Sequence, residues 1–205
     1  MKFYSEFIFP KIFDILMRRN SFVIQRASLL KAAHGKCLEV GIGTGLNLKF
    51  YPSHINEIVA VDPNPGMQVQ LMAQHSNHRI KIDFSLASAE SLPYENETFD
   101  TVVSTLTFCS ISNLPAALSE IKRVMKKSGQ LIFLEHGLSH EAHIAKWQKR
   151  LDPVQNIEAC GCSLTVNTTE QLKVAGFKIK SINNYYNEKS PKLMGYMYEG
   201  IAVLI

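Results

Sequence analysis

The sequence predicts an α/β fold: a seven-stranded, mostly parallel sheet with helices on both faces, finished by a C-terminal antiparallel hairpin. Three observations lead there. Strand-like and helix-like segments alternate five times over the first two-thirds of the chain, and the strands are near-continuously apolar, as in a sheet covered on both faces. A glycine run, Gly41-Ile42-Gly43-Thr44-Gly45, closes the first strand. The last two strand-like segments are joined by a short loop rich in Lys and Pro with no helix between them, so they should pair antiparallel.

Taken in order, residues 3–19 form an amphipathic helix in which Phe3, Phe7, Ile8, Ile12, Leu16 and Met17 recur at helical spacing, with Pro10 as a kink or restart. A second helix follows over Ser21–Ala33. Lys36–Val40 is the first strand, followed by the glycines and a short helix stopped by Pro52. Glu57–Val61 is a strand closed by Asp62-Pro63, Met67–His75 a helix, and Lys81–Leu86 and Phe99–Ser104 are strands. The helix Asn113–Lys127 has Leu114, Leu118, Ile121, Val124 and Met125 on one face, Lys126 and Lys127 at its C-terminal dipole and Gly129 just beyond. Gln130–Glu135 is the fifth strand. Residues 141–150 form a helix, and Thr168 with Gln171 reads as a capping box opening a helix that ends at Gly176. Phe177–Tyr186 and Gly195–Ile205 make the closing hairpin. No linker or repeat divides the 205 residues, so the chain is read as one domain, its N-terminal helices 3–33 forming a lid or cap.

Composition narrows the function. A formal net charge of +4 with basic residues spread along the chain does not make the basic patch of a nucleic-acid binder. No run of about 20 apolar residues spans a bilayer, and the N-terminal stretch lacks a signal-peptide cleavage site. A cytoplasmic protein is expected, with peripheral membrane contact left open through the helix that precedes Arg18 and Arg19. Cys37, Cys109, Cys160 and Cys162 are read as reduced, and Cys160-Gly161-Cys162 is too tightly spaced for a zinc knuckle. His140 and His143 with Glu135 and Glu141 are out of line with His136, so no metal is expected. Nothing in the sequence sets an oligomeric state.

The chemistry lies at the strand tips. Glycines let the backbone after the first strand turn tightly and approach a ligand closely. The third glycine comes one residue early for a dinucleotide fingerprint, and Leu46 stands where that pattern wants Gly. Glu39, two residues before the first glycine, would repel a pyrophosphate but could hold an ammonium or its water shell. The ligand indicated is a nucleoside carrying an amino acid. Asp62, at the tip of the second strand, can accept both ribose hydroxyls. Ser88 and the Ala89 backbone, after the third strand, can address an adenine edge.

These segments resemble a class I S-adenosylmethionine-dependent methyltransferase of the type-11 group, which implies a Rossmann-like sheet. The resemblance rests on LEVGIGTG, VDPNPGM at 61–67, AESLPYENETFDTVVS at 89–104 and LSEIKRVMKKSGQLIFLEH at 118–136. GLNLKFYP at 45–52, WQKRLDP at 147–153 and GCSLT at 161–165 further resemble the animal methyltransferase-like thiol S-methyltransferases and their bacterial relatives. The resemblance implies S-adenosylmethionine as cofactor. It places Glu39, Gly41, Ile42, Gly43, Thr44, Gly45 and Asn47 around the methionine part and Asp62 on the ribose. It puts Pro63 and Met67 against adenine or ribose, Ser88, Ala89 and Glu90 beside the adenine, and Thr105 facing the sulfonium. Many relatives have Asp where this chain has Ser88; a serine hydroxyl still accepts a hydrogen bond.

The function expected is methyl transfer to a small apolar acceptor: a thiol, a lipid or a quinone-like molecule. Displacement at an activated methyl needs alignment and no protein nucleophile. A base is needed only for a protonated acceptor, and His136 at the tip of the fifth strand is the catalytic candidate for it. Cys109, beyond the fourth strand, is read first as packing. A nicotinamide-dependent oxidoreductase and a non-catalytic S-adenosylmethionine-binding protein are the competing readings.

Overall fold

The computed structural model describes residues 3–17, 20–75 and 78–205. Seven strands form one sheet: β1 (Cys37–Val40), β2 (Glu57–Val61), β3 (Lys81–Ser85), β4 (Phe99–Thr105), β5 (Met125–His136), β6 (Phe177–Tyr186) and β7 (Tyr196–Leu204). Their order is β3-β2-β1-β4-β5-β7-β6, with β1 to β5 parallel and β7 antiparallel to both its neighbours. This is the Rossmann-like arrangement with a C-terminal hairpin that the sequence predicts. The order reverses between β1 and β4, so a crevice opens beyond the C-terminal ends of those two strands.

The period-2 alternation of side chains sends each central strand's residues into two cores. Leu38, Val40, Val59, Val61, Val102 and Leu131 pack with Leu118 and Ile121 of α4 (Leu114–Val124) and Leu172 of α6 (Thr168–Val174). The alternate residues, Cys37, Ile58, Ala60, Val103 and Ile132, pack with Leu71 of α3 (Pro65–His75) and with Leu30, which continues α2 (Asn20–Leu29) as a 3-10 turn. Fully buried strands of this kind explain the near-continuous apolar runs. β3, at the sheet edge, has only exposed and half-buried residues.

Several boundaries differ from the sequence expectation. α4 ends at Val124, and β5 begins at Met125, five residues earlier than expected. Met125 is fully buried and pairs with Phe99, and this tertiary pairing overrides the helical pattern. Lys126 therefore belongs to a strand and bridges to Asp100 at 2.8 Å. The helix expected over residues 141–150 is α5 (Ala142–Glu158), which runs on through Pro153. The N-cap of α6 is Asn167, whose side-chain oxygen accepts from Glu170 N at 3.2 Å. Thr168, expected as the cap, is buried, and its hydroxyl has no hydrogen-bond partner among the described residues.

The N-terminal segment departs most. Tyr4–Ile8 form a π-helical turn that passes into α1 (Phe9–Met17), with Pro10 at the changeover. Phe3, Phe7, Ile8 and Ile12 of the expected apolar stripe point outward, together with Ile15, while Asp14 is buried and accepts from Thr44 Oγ1 at 2.6 Å. Arg18 and Arg19 lie outside the described residues. No helix among the described residues is long and apolar enough to cross a membrane.

Asn167→Ala should lower stability by about 1 kcal/mol in urea denaturation, the usual worth of an N-cap. Thr168→Val should be neutral or stabilising, because it removes an unpaired buried hydroxyl. A capping role for Thr168 requires the opposite ranking.

Candidate active site

A cavity of about 460 Å³ lies in the crevice beyond β1 and β4. Gly41, Ile42, Gly43 and Thr44 border it after β1, and Asp62, Pro63 and Met67 after β2. Ser88, Ala89 and Glu90 border it after β3, and Thr105 at the end of β4. Four residues expected at the site, Glu39, Gly45, Asn47 and His136, do not line it.

The glycine turn is shaped by what it must approach. Gly41 has φ +70°, and a Cβ there would lie 2.3 Å from the Thr107 side chain. Gly45 has φ +82°, and a Cβ there would strike Leu71, His75 and Leu48, so this glycine serves the packing of α3 against the turn. Asp62 is buried and divides its carboxylate: Oδ2 accepts from Gly43 N and Oδ1 from Asn64 N, each at 2.9 Å. The glycine turn after β1 is thereby tied to the tip of β2. Burial raises the Asp62 pKa, and these two backbone N–H groups oppose the rise. Asn64 opens α3, its side chain accepting from Gly66 N at 2.8 Å, with Pro65 at the first helical position. The Asn64 amide also donates to Ser5 O at 2.9 Å, which ties the N-terminal segment to the site.

Behind the turn lies a buried polar cluster. Glu39 is 1% exposed and points to the α2 side of the sheet, where it accepts from Asn47 Nδ2 and Tyr51 OH, each at 2.8 Å. Asn47 returns its oxygen to Arg26 Nη1 at 2.6 Å and also donates to Thr105 Oγ1 at 3.0 Å. Burial pushes the Glu39 carboxyl up to about 7, against the hydrogen bonds from Tyr51 and Asn47 and the charge of Arg26. Glu135, at the tip of β5, is likewise fully buried and is also pushed up to about 7. It accepts from Ser104 Oγ at 2.7 Å, Thr107 N at 2.9 Å and Phe108 N at 3.1 Å, and so shapes the turn after β4. Burial lowers the Arg26 pKa to about 10 against the pull of both carboxylates, so the guanidinium stays charged at neutral pH.

Arg26 is the residue sequence reasoning missed. It borders the cavity, is 5% exposed, and its Nε has no hydrogen-bond partner among the described residues. Nothing in the spacing of α2 marks it, because its partners arrive from three other segments. Ser5, Glu6 and Phe9 from the N-terminal segment, and Leu106, Ser110, Ile111 and Cys160, complete the walls. Ser88 Oγ donates to Glu90, whose other oxygen accepts from Asn113 N at 2.7 Å, fixing the loop after β3.

His136 sits behind the wall. Its Nε2 lies 3.1 Å from Cys162 Sγ, and its Nδ1 is buried without a hydrogen-bond partner among the described residues. Burial disfavours the charged ring, but Cys162 and Glu135 outweigh it and raise the pKa. A proton-accepting role for this histidine would therefore have to pass through Cys162.

The raised pKa of Glu39 has a defined sign. The folded state holds its proton above the ordinary value of 4.5, so its contribution to stability declines as pH rises from about 4.5 to about 7. Glu39→Gln has no such titration. Its stability relative to the parent chain should improve by roughly 1–3 kcal/mol over that window, read by urea denaturation at about pH 5 and about pH 8. A constant difference would contradict this.

Comparison with known proteins agrees with this geometry. Residues 38–133 match a methyltransferase-domain family, of type 11. The chain is 34% identical over 171 residues to human thiol S-methyltransferase TMT1A, covering 81% of this chain and 69% of that protein. It is 28% identical over 153 residues to phosphatidylethanolamine N-methyltransferase of Cereibacter sphaeroides, covering 74% and 72%. Among solved structures, the YcgJ protein of Bacillus subtilis superposes with a TM-score of 0.69 over 89% of this chain and 96% of that one, at 14% identity. That last likeness bears on the fold alone; the relationship to thiol S-methyltransferase TMT1A carries the family. The glycine turn, Asp62 at the tip of β2 and the sequence relationship together identify the chain as a member of the class I, type-11 S-adenosylmethionine-dependent methyltransferases.

Proposed function

We propose that this methyltransferase acts on the sulfur of a small apolar thiol. The observation that carries the reading is the wall following β4. Leu106 and Ile111 of that wall, with Cys160 after α5 and Phe9 of the N-terminal segment, bring apolar surface among Thr107, Ser110 and Ser112. No histidine or lysine borders the cavity among the described residues, and its acids are Glu6, Asp62 and Glu90. A hydroxyl acceptor would need a strong base at that wall. A thiol with a pKa of about 8.5 is partly ionised at neutral pH and needs little help. The relationship to a thiol S-methyltransferase supports the same choice.

The cavity's donors fit the cofactor. Asp62 has lone pairs left for the ribose hydroxyls after bracing Gly43 and Asn64. The unpaired Arg26 Nε offers a cationic donor for the amino-acid carboxylate. Ser88 and the Ala89 backbone address the adenine edge, with Glu90 holding their loop, and Ile42, Pro63 and Met67 supply apolar surface. Thr44 holds Asp14 of the N-terminal segment, which acts as a cap through Ser5, Glu6 and Phe9. Thr105 borders the region of the sulfonium. Glu39, Gly45 and Asn47 act from behind, by positioning Arg26 and the turn. When bound, S-adenosylmethionine supplies a methyl group already activated on sulfur. The protein's part is to align the acceptor with it and to exclude water, an effect worth roughly 7–11 kcal/mol in well-oriented systems.

A second reading has its own observation. The exposed stripe of Phe3, Phe7, Ile8, Ile12 and Ile15 adjoins the residues that cap the cavity, which favours an acceptor drawn from a lipid surface. The relationship to a phosphatidylethanolamine N-methyltransferase supports it. For the thiol reading we place the chain in the cytoplasm, where free thiols stay reduced.

Labelled S-adenosylmethionine should yield a methyl thioether with short alkyl and aryl thiols, and little product with phosphatidylethanolamine vesicles. Vesicle labelling without thioether formation would replace the first reading by the second. Asp62→Ala should weaken S-adenosylhomocysteine binding by about 1–3 kcal/mol in calorimetry. Arg26→Met should weaken S-adenosylhomocysteine by roughly 1.5–3 kcal/mol while sparing methylthioadenosine, which lacks the amino-acid carboxylate. Equal losses for both ligands would assign Arg26 a purely structural role.

A further inference from the structure

Three residues that the methyl-transfer geometry does not use converge behind the cavity wall. Cys109 lies in the 3-10 turn Phe108–Ser110 after β4, His136 ends β5, and Cys162 follows α5. Cys162 Sγ is 3.5 Å from Cys109 Sγ and 3.1 Å from His136 Nε2, and all three donor atoms lie within 4.8 Å of one another. The chain is shaped to put them there. Cys160 and Gly161 both have positive φ, 51° and 101°, and this tight turn carries Cys162 back toward the sheet. Ser163 N then donates to Cys109 O at 2.8 Å, locking the loop after α5 onto the turn after β4.

Two thiols and an imidazole make a soft donor set. Tetrahedral zinc, with bonds of about 2.3 Å to sulfur and about 2.0–2.1 Å to nitrogen, needs donor separations of roughly 3.5–3.8 Å. The sulfur pair already meets this, the Cys162–His136 contact has to open by a few tenths of an ångström, and Cys109 and His136 lie within 4.8 Å of one another. Cys109 is buried, and Cys162 is half-buried with its thiol pushed well above the ordinary range by Cys109 and by burial. A divalent ion would stabilise both thiolates at once. Magnesium and calcium prefer oxygen donors, which this cluster does not present.

We propose that Cys109, His136 and Cys162 form a binding site for zinc or a comparably soft divalent cation, with the fourth position left to water. Binding leaves the imidazole neutral and sends the two thiol protons to solvent, so affinity rises with pH. The ion would join the turn after β4, the tip of β5 and the loop after α5. Those segments carry Ser110 and Cys160 of the cavity wall. This proposal is independent of the acceptor reading above.

The test is titration of the reduced, metal-free protein with cobalt(II) under anaerobic conditions. One equivalent should produce the thiolate-to-cobalt charge-transfer band and the intense visible bands of a tetrahedral site. Zinc should displace it, and zinc added to the metal-free protein should release about two protons per ion and raise the melting temperature. Cys109→Ala, Cys162→Ala and His136→Ala should each weaken cobalt binding at least about tenfold, whereas Cys37→Ala, which removes a thiol elsewhere in the core, should not. Absence of thiolate bands in the parent chain overturns the proposal, including the outcome in which peroxide instead joins Cys109 to Cys162 as a disulfide. Bands that persist unchanged in Cys162→Ala overturn it equally.

Discussion

Glu39 carries a carboxylate into the interior of a parallel sheet, and much of the site follows from satisfying it. Removing a carboxylate from water costs several kcal/mol unless hydrogen bonds and an opposite charge offset the loss. Here Tyr51 and Asn47 donate to its oxygens and Arg26 supplies the charge. These partners come from α2 and from the turn spanning Asn47 and Tyr51, so meeting one electrostatic requirement fixes both relative to β1, and Asn47 extends the link to Thr105 at the end of β4. Asn47 is the hinge of the arrangement: it faces Glu39 with its amide nitrogen and Arg26 with its oxygen. An apolar residue at position 39 would pack as well in the strand but would leave Arg26 and Asn47 without a reason to point where they do.

Glu135 plays the matching part on the other side of β4. Its two oxygens hold Ser104 and the backbone of Thr107 and Phe108, so the chain leaving β4 turns along the cavity. Asp62 does the same for the glycine turn. Three buried acids, at the tips of three strands, therefore shape three loops. Only Asp62 borders the cavity directly, and the others act on the ligand space through the loops they hold.

The N-terminal segment is tied to the site through polar atoms: Asp14 accepts from Thr44 and the Ser5 carbonyl accepts from Asn64, while Phe3, Phe7, Ile8, Ile12 and Ile15 face out and Phe9 borders the cavity.

Period and composition alone determined the strand–helix alternation, the closing hairpin, and the glycine turn with Asp62 at the next strand tip, because each depends on residues near one another in sequence. The motifs after β1, β2 and β3 were legible for the same reason: a strand tip, a turn and a helix start are local events. Tertiary structure decided the rest. Met125 left the helical pattern because Phe99, far back in the chain, paired with it. Arg26 became part of the cavity only through Glu39 and Asn47. Cys162, uninformative beside Cys160, gained chemical meaning when the turn after β4 and the tip of β5 brought Cys109 and His136 to it. Hydrogen bonds and donor clusters of this kind join distant segments, and one strand of sequence carries no record of which distant residue will be its neighbour.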